Sequence, residues 1–148
     1  PIQVLAYILA LAAVFAVFRV RKYSSQWVSI ILAALWIWTG LVYHILYFSA
    51  INRLAYVFGA LFILQGFIFW ISGSFGRSLQ FAFKSDLESW SGVVLMSYAM
   101  VLYPILGAML GHAYPGSPMF GVSPCPLTIF PFGLLLWNRQ LSTVRPIF

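Results

Sequence analysis

The chain has 148 residues, 63% of them hydrophobic and only 7% charged, with eight Lys or Arg against two Asp or Glu for a net charge of +6. Soluble domains carry roughly 25% charged residues, and a chain this short has too little interior to hide so much apolar surface from water. A mean hydropathy of +0.97 therefore excludes a water-soluble single domain and a disordered chain, and the single cysteine, Cys125, excludes an internal disulfide framework.

The composition predicts an all-α, polytopic transmembrane helical bundle forming one domain. Its apolar runs are continuous, whereas strands of a membrane barrel alternate over about 10 residues. A spanning helix needs about 20 mostly apolar residues, because lipid offers the backbone no hydrogen-bond partner. Five spans are expected, at about 2–18, 27–48, 54–71, 90–111 and 123–137. The fifth is short and contains Pro131. Pro1 enters an apolar helix with no flanking polar segment, and Arg145-Pro146-Ile147-Phe148 resembles the opening of another helix. Both features lead us to expect a chain truncated at both ends.

Between the spans, the basic residues sort to one side. Arg19, Arg21, Lys22, Arg77, Lys84, Arg139 and Arg145 follow helices one, three and five, whereas Arg53 alone follows helix two and none follows helix four. The positive-inside rule then predicts an external N-terminus and a cytoplasmic C-terminus. The basic excess thus reads as topology, with no nucleic-acid partner. On the cytoplasmic side, 72–89 alternates Leu79, Phe81 and Phe83 with polar neighbours and is expected either to lie along lipid headgroups or to form a plain loop. On the outer side, 112–126 is rich in Pro and Gly and should be a shaped, non-helical loop.

Chemistry-bearing residues gather near the outer side. His44 falls in the last turn of helix two, His112 ends helix four, and Cys125 and Met119 lie in the outer loop, with Met109 one turn before His112. Imidazole, thiolate and thioether ligands together suit copper or zinc. None of them has a paired ligand spacing, so helix-end histidines and a packed cysteine are the simpler expectation.

Gln65 is the one strongly polar side chain near the centre of helix three. Two roles are open to it: a hydrogen bond to another helix, or contact with a small solute. Gly59 and Gly66 on helix three and Gly107 and Gly111 on helix four are expected to permit close helix packing. Pro104 should kink helix four and free a carbonyl near Met100, with Tyr98 and Tyr103 as nearby donors. Trp27, Trp90 and Trp137 occupy span ends as interfacial anchors. The deeper Trp36, Trp38 and Trp70 are expected to be bulk, or else to line a groove for a quinone or pigment. Asn52 and Arg53 are expected to cap helix three and anchor it at the headgroups.

No nucleophile elbow, phosphate loop or zinc-protease motif occurs, and the only carboxylates are Asp86 and Glu88 in the cytoplasmic segment. The expected function is non-enzymatic: an accessory or assembly subunit of a larger membrane complex, respiratory or photosynthetic, with membrane lipids and other integral membrane subunits as partners. An outer-side protein binding copper, zinc or a small ligand is the alternative, and a transporter ranks third.

Two stretches carry a family resemblance. One comprises Tyr43-His44, Ile51-Asn52, Phe58-Gly59 and Gln65-Gly66. The other runs from Tyr103-Pro104 through Gly107, Gly111-His112 and Tyr114-Pro115 to Phe120-Gly121-Val122-Ser123-Pro124-Cys125-Pro126 and Phe132-Gly133. The chain resembles an uncharacterised bacterial multi-pass membrane family of unknown function. That resemblance implies a bacterial cytoplasmic (inner) membrane location and a membrane fold, and it assigns no reaction. It directs attention to an outer-side site at His44, Asn52, His112, Tyr114 and Cys125.

Overall fold

A computed structural model describes residues 2–19, 23–75, 79–111 and 120–139. Within them lie five helices: α1 (Ile2–Phe18), α2 (Ser24–Ala50), α3 (Ala55–Ser74), α4 (Leu87–Met109) and α5 (Pro124–Leu135). Helices α2, α3 and α4 are long and apolar enough to cross a membrane. The other two are shorter: α1 has 17 residues and α5 has 12. The 12 residues of α5, about 18 Å at 1.5 Å per residue, are three fewer than the 15 expected for 123–137. Its first turn contains Pro124 and Pro126, which are tolerated where helical N–H groups have no partner. It stops at Leu135, before Trp137.

Two helices change pitch partway. Thr39–Tyr47 of α2 and Tyr98–Leu102 of α4 are π-helical. In α4 the wide turn immediately precedes Pro104, which has no N–H to return to the carbonyl of Met100. The predicted irregularity near Met100 is thus present, but the nearby tyrosines do not resolve it. Tyr98 and Tyr103 pack edge-on against each other at 6.2 Å. The hydroxyl of Tyr7, from α1, donates to Met100 O at 2.7 Å.

Small residues decide which helices meet. On α1, Ala6, Ala10, Ala13 and Val17 form the buried face, while Leu5, Ile8, Leu11 and Phe15 point outward. Their three- and four-residue spacing keeps them on one stripe. On α3, Gly59, Gly66 and Gly73 recur every seven residues and face Gly40, Ala33 and Ser29 of α2. A Cβ at Gly59 would lie 3.0 Å from Gly40 O, and one at Gly66 3.0 Å from Ala33 O. Backbones approach this closely only without side chains between them. Gly73 extends the predicted Gly59 and Gly66 pair into a full seam, where its Cβ would collide with the Ser29 side chain.

A second seam joins α4 to α5. A Cβ at Gly133 would stand 2.7 Å from Gly92 O, and one at Gly92 would stand 2.5 Å from Gly133 O. Gly107 is buried. Gly111 does something else: it is exposed at φ +85°, with nothing described within 4 Å of its Cβ position. It turns the chain at the end of α4, where a left-handed residue commonly terminates a helix. Expected helix packing at Gly111 is therefore replaced by helix termination.

The segment expected as a headgroup-lying stretch or a plain loop is docked where it is described. Phe81 is buried and bridges to Asn138. Backbone bonds run from Ala82 N–H to Trp137 O at 2.8 Å and from Arg139 N–H to Gln80 O at 2.9 Å. Gln80 N–H donates to Asn138 Oδ1, and Phe81 N–H to Ser25 Oγ. Trp137, expected as an interfacial anchor, is 2% exposed and donates from Nε1 to Ser89 O at 2.9 Å. Its ring meets Phe18 and Phe83 edge-on, so α1, the 79–84 segment and the start of α4 close around it.

Candidate functional site

Consider first the cleft between α3 and α5. From α3 come Phe58, Phe62, Gln65 and Phe69, at successive turns of one face. From α5 come Thr128, Pro131, Phe132 and Leu135, again one helical stripe. Trp36 of α2 reaches the same space, stacked on Phe62 at 4.6 Å and edge-on to Phe69 at 5.8 Å. The cleft is open on one side and has a volume of about 370 Å³, within the range of about 300–1,000 Å³ that small-molecule sites occupy.

The polar equipment of this cleft is sparse. Thr128 Oγ1 donates to Pro124 O at 2.7 Å, one turn back on its own helix. Gln65 is half-buried and makes no hydrogen bond among the described residues. Of its two expected roles, the bond to another helix is not formed within this set. The buried Nε1 of Trp36 also lacks an acceptor. No charged side chain lines the cleft.

His44 lies on the π-helical part of α2 and is 5% exposed. It is packed among aromatic rings, with Phe62 at 4.7 Å, Tyr43 at 5.1 Å and Phe58 at 6.1 Å. Neither ring nitrogen has a hydrogen-bond partner. Phe62 thus lies between His44 and Trp36 and joins the buried histidine to the wall of the α3–α5 cleft.

A second cleft, of about 390 Å³, opens at the helix end that holds Ile2. It is bounded by Thr39, Tyr43 and Tyr47 of α2 and by Gly121 and Val122. Thr39 is 1% exposed and its hydroxyl has no partner. The run from Phe120 to Pro126 is anchored here. Phe120 is fully buried, 5.5 Å from the Tyr7 ring and 5.2 Å from that of Phe130. Gly121 takes φ +84° where a Cβ would strike Ala6, so glycine serves both the turn and the close approach.

The remaining predicted site residues disperse. Asn52 is exposed and its Oδ1 accepts from Leu54 N–H at 3.0 Å, a local turn two residues before the N-cap of α3, which is Leu54 and carries no side-chain cap; the expected capping by Asn52 is not what the structure shows. Cys125 is exposed on α5, beside Ser123 and Tyr103. It therefore belongs to a different helix pair from His44, which packs on α3. Met109 is exposed at the end of α4. His112, Tyr114 and Met119 lie outside the described residues, and among those described no three His, Cys, Asp or Glu side chains gather as metal ligands.

Sequence reasoning singled out Gln65 by its depth but not the cleft it faces. Trp36, expected as bulk or else as the lining of a groove, stands in the wall of a cleft, and Thr39 carries no expectation from the sequence. A polar residue five positions before His44 carries no signal under ordinary α-helical spacing; the π-helix brings residues five apart into register.

The family model for a family of unknown function, DUF6064, matches residues 1–144, and the chain belongs to that family. No curated protein and no solved structure matches it.

Proposed function

We propose that the chain is a multi-pass integral membrane protein of the bacterial cytoplasmic membrane. In that membrane it serves as a non-enzymatic accessory or assembly subunit of a larger complex. The observation that carries this reading is the outward apolar surface of α3 and α4. Only 22% of the most apolar stretch of each helix is buried within the protein. Val94, Val101, Ile105 and Leu106 of α4 and Val57, Phe67 and Ile71 of α3 are exposed, and none of them lines the α3–α5 cleft. Lipid or neighbouring helices suit such a surface, and water does not.

The non-enzymatic part of the proposal draws on the acidic residues. Asp86 and Glu88 are the only two in the chain. Asp86 is engaged as the cap of α4, accepting from Ser89 N–H at 2.8 Å. General acid–base chemistry within the bilayer has little material to work with.

The native mass after extraction in a mild detergent, with co-purifying chains identified, tests the proposal. A large stoichiometric assembly is expected. A particle near the chain's own mass would overturn the subunit reading.

A second reading, a metal or small-ligand site at the outer end, is favoured by the unpartnered nitrogens of His44. It requires the imidazole to leave its aromatic packing, and metal analysis of the same sample tests it.

A further inference from the structure

We propose that the cleft between α3 and α5 binds an uncharged lipophile with a conjugated ring carbonyl, of the class of lipid-soluble quinones, and that Gln65 is the hydrogen-bonding residue that selects it. The proposal rests on the membrane reading above and adds to it a ligand and a site.

Depth makes Gln65 informative. It is the eleventh residue of the 20-residue α3, so about 15 Å of helix lies on either side. At that level in a bilayer, a primary amide without a partner is costly, and a compensating partner is expected. The described protein supplies none. Instead, Gln65 faces a cavity, and the cavity has a size suited to a ligand.

The walls narrow the chemistry. With no charged side chain in the lining, a charged headgroup would enter without a counter-ion. A phospholipid or fatty acid head is therefore disfavoured at this depth. Phe58, Phe62, Phe69, Phe132 and Trp36 present aromatic surface on several sides, which suits a flat ring by offset or edge-on packing. The Gln65 amide NH2 supplies two donors, and a ring carbonyl is the acceptor that fits a neutral, flat, lipid-soluble molecule. The exposure of Phe132 and Leu61 leaves the cleft open towards the surroundings of the bundle, the side from which a molecule dissolved in lipid arrives. Binding needs no redox step, and none is proposed.

The test uses the full chain reconstituted in phosphatidylcholine nanodiscs, with decyl-substituted benzoquinone as the probe. Quinones quench nearby indole fluorescence, and Trp36 stands in the wall of the cleft. Saturable quenching above the linear background of lipid partitioning is expected, and Trp36→Phe should remove the saturable component. Gln65→Met keeps length and helix propensity while deleting the amide. It should weaken the apparent Kd by about three- to tenfold, the cost of one lost hydrogen bond.

Decylbenzene, which lacks carbonyls, should not displace the quinone. Equal displacement by decylbenzene, or an unchanged Kd in Gln65→Met of native helix content, would overturn the assignment and leave a site for any hydrocarbon chain. Flotation with liposomes separates the two readings. A chain that floats but binds no quinone overturns the site alone, whereas a chain that does not float overturns the membrane reading and the site together.

Discussion

The Tyr7 hydroxyl of α1 donates a 2.7 Å hydrogen bond to the Met100 carbonyl of α4, across 93 residues of sequence. Met100 lies four residues before Pro104, so its carbonyl has lost the backbone donor of a regular α-helix. A side chain from the first helix replaces that donor in the fourth. The proline-induced defect thereby becomes a tie between two helices.

Tyr7→Phe should destabilise the fold by about 0.6–2 kcal/mol, the range for interhelical hydrogen bonds in membrane proteins. Pro104→Ala restores a backbone N–H near Met100 and should make the tyrosine redundant. In a double-mutant cycle, the Tyr7→Phe penalty is expected to shrink in the Pro104→Ala background. Equal penalties in both backgrounds would show that the two residues act independently.

The α4–α5 seam makes a steric prediction. Gly133→Ala places a methyl group 2.7 Å from both Gly92 O and Met96 Cγ, and a backbone carbonyl cannot move aside as a flexible side chain can. A loss of about 1–3 kcal/mol is expected in denaturant-induced unfolding. Gly111→Asn, at an exposed left-handed position, should stay within about 0.5 kcal/mol of the parent. Similar effects at both positions would dissolve the distinction between a packing glycine and a terminating one.

Asp86 ties the start of α4 to pH. The backbone N–H of Ser89, with its hydroxyl second, holds the carboxyl below the ordinary aspartate range. A folded-state value below the unfolded one means that the stabilisation is complete above the unfolded value. It is lost as pH falls through the folded value. Amide exchange in the first turn of α4 should therefore quicken in acid. Asp86→Asn preserves the cap without the titration and should flatten that response. An acid response that survives in Asp86→Asn would assign it to another group.

Trp137 closes the same end of α4. Trp137→Phe keeps aromatic contact with Phe18 and Phe83 but removes the donor to Ser89 O, leaving that buried residue's carbonyl without it. A cost of about 1–3 kcal/mol is expected. Proteolysis within 79–84 should become easier, because Ala82 N–H is bonded to the Trp137 carbonyl. An unchanged cleavage rate would separate the ring from the docking of that segment.

Cys125 reports on orientation. It is the only cysteine in the chain and it is exposed. The positive-inside rule predicts an external N-terminus; on that prediction a membrane-impermeant maleimide added to intact cells should label it. Labelling only after the cytoplasmic side is opened would reverse that predicted orientation.

Much of the helical framework was legible because it depends on runs of residue types. The expected 2–18 coincides with Ile2–Phe18, and 54–71 falls close to Ala55–Ser74. Helix α4 starts at Leu87 rather than 90 because Asp86 caps it, and helix α5 ends early, before the docked Trp137. Pro104 announced its free carbonyl through its own chemistry. Gln65 announced itself by being polar where its neighbours are apolar.

By itself, the sequence determined where the apolar helices run, that Met100 would need a donor, and that Gln65 would stand out at depth. These are properties of composition and backbone covalent chemistry, and they hold for a helix taken alone. Only the tertiary structure decided that Tyr7 meets Met100. It also decided that Gly59, Gly66 and Gly73 face α2, that His44 lies among Phe58 and Phe62, and that Gln65 opens onto a cleft with α5. The reason is geometric. A helix presents every side chain outward in turn, and packing against particular neighbours selects which faces close and which remain open.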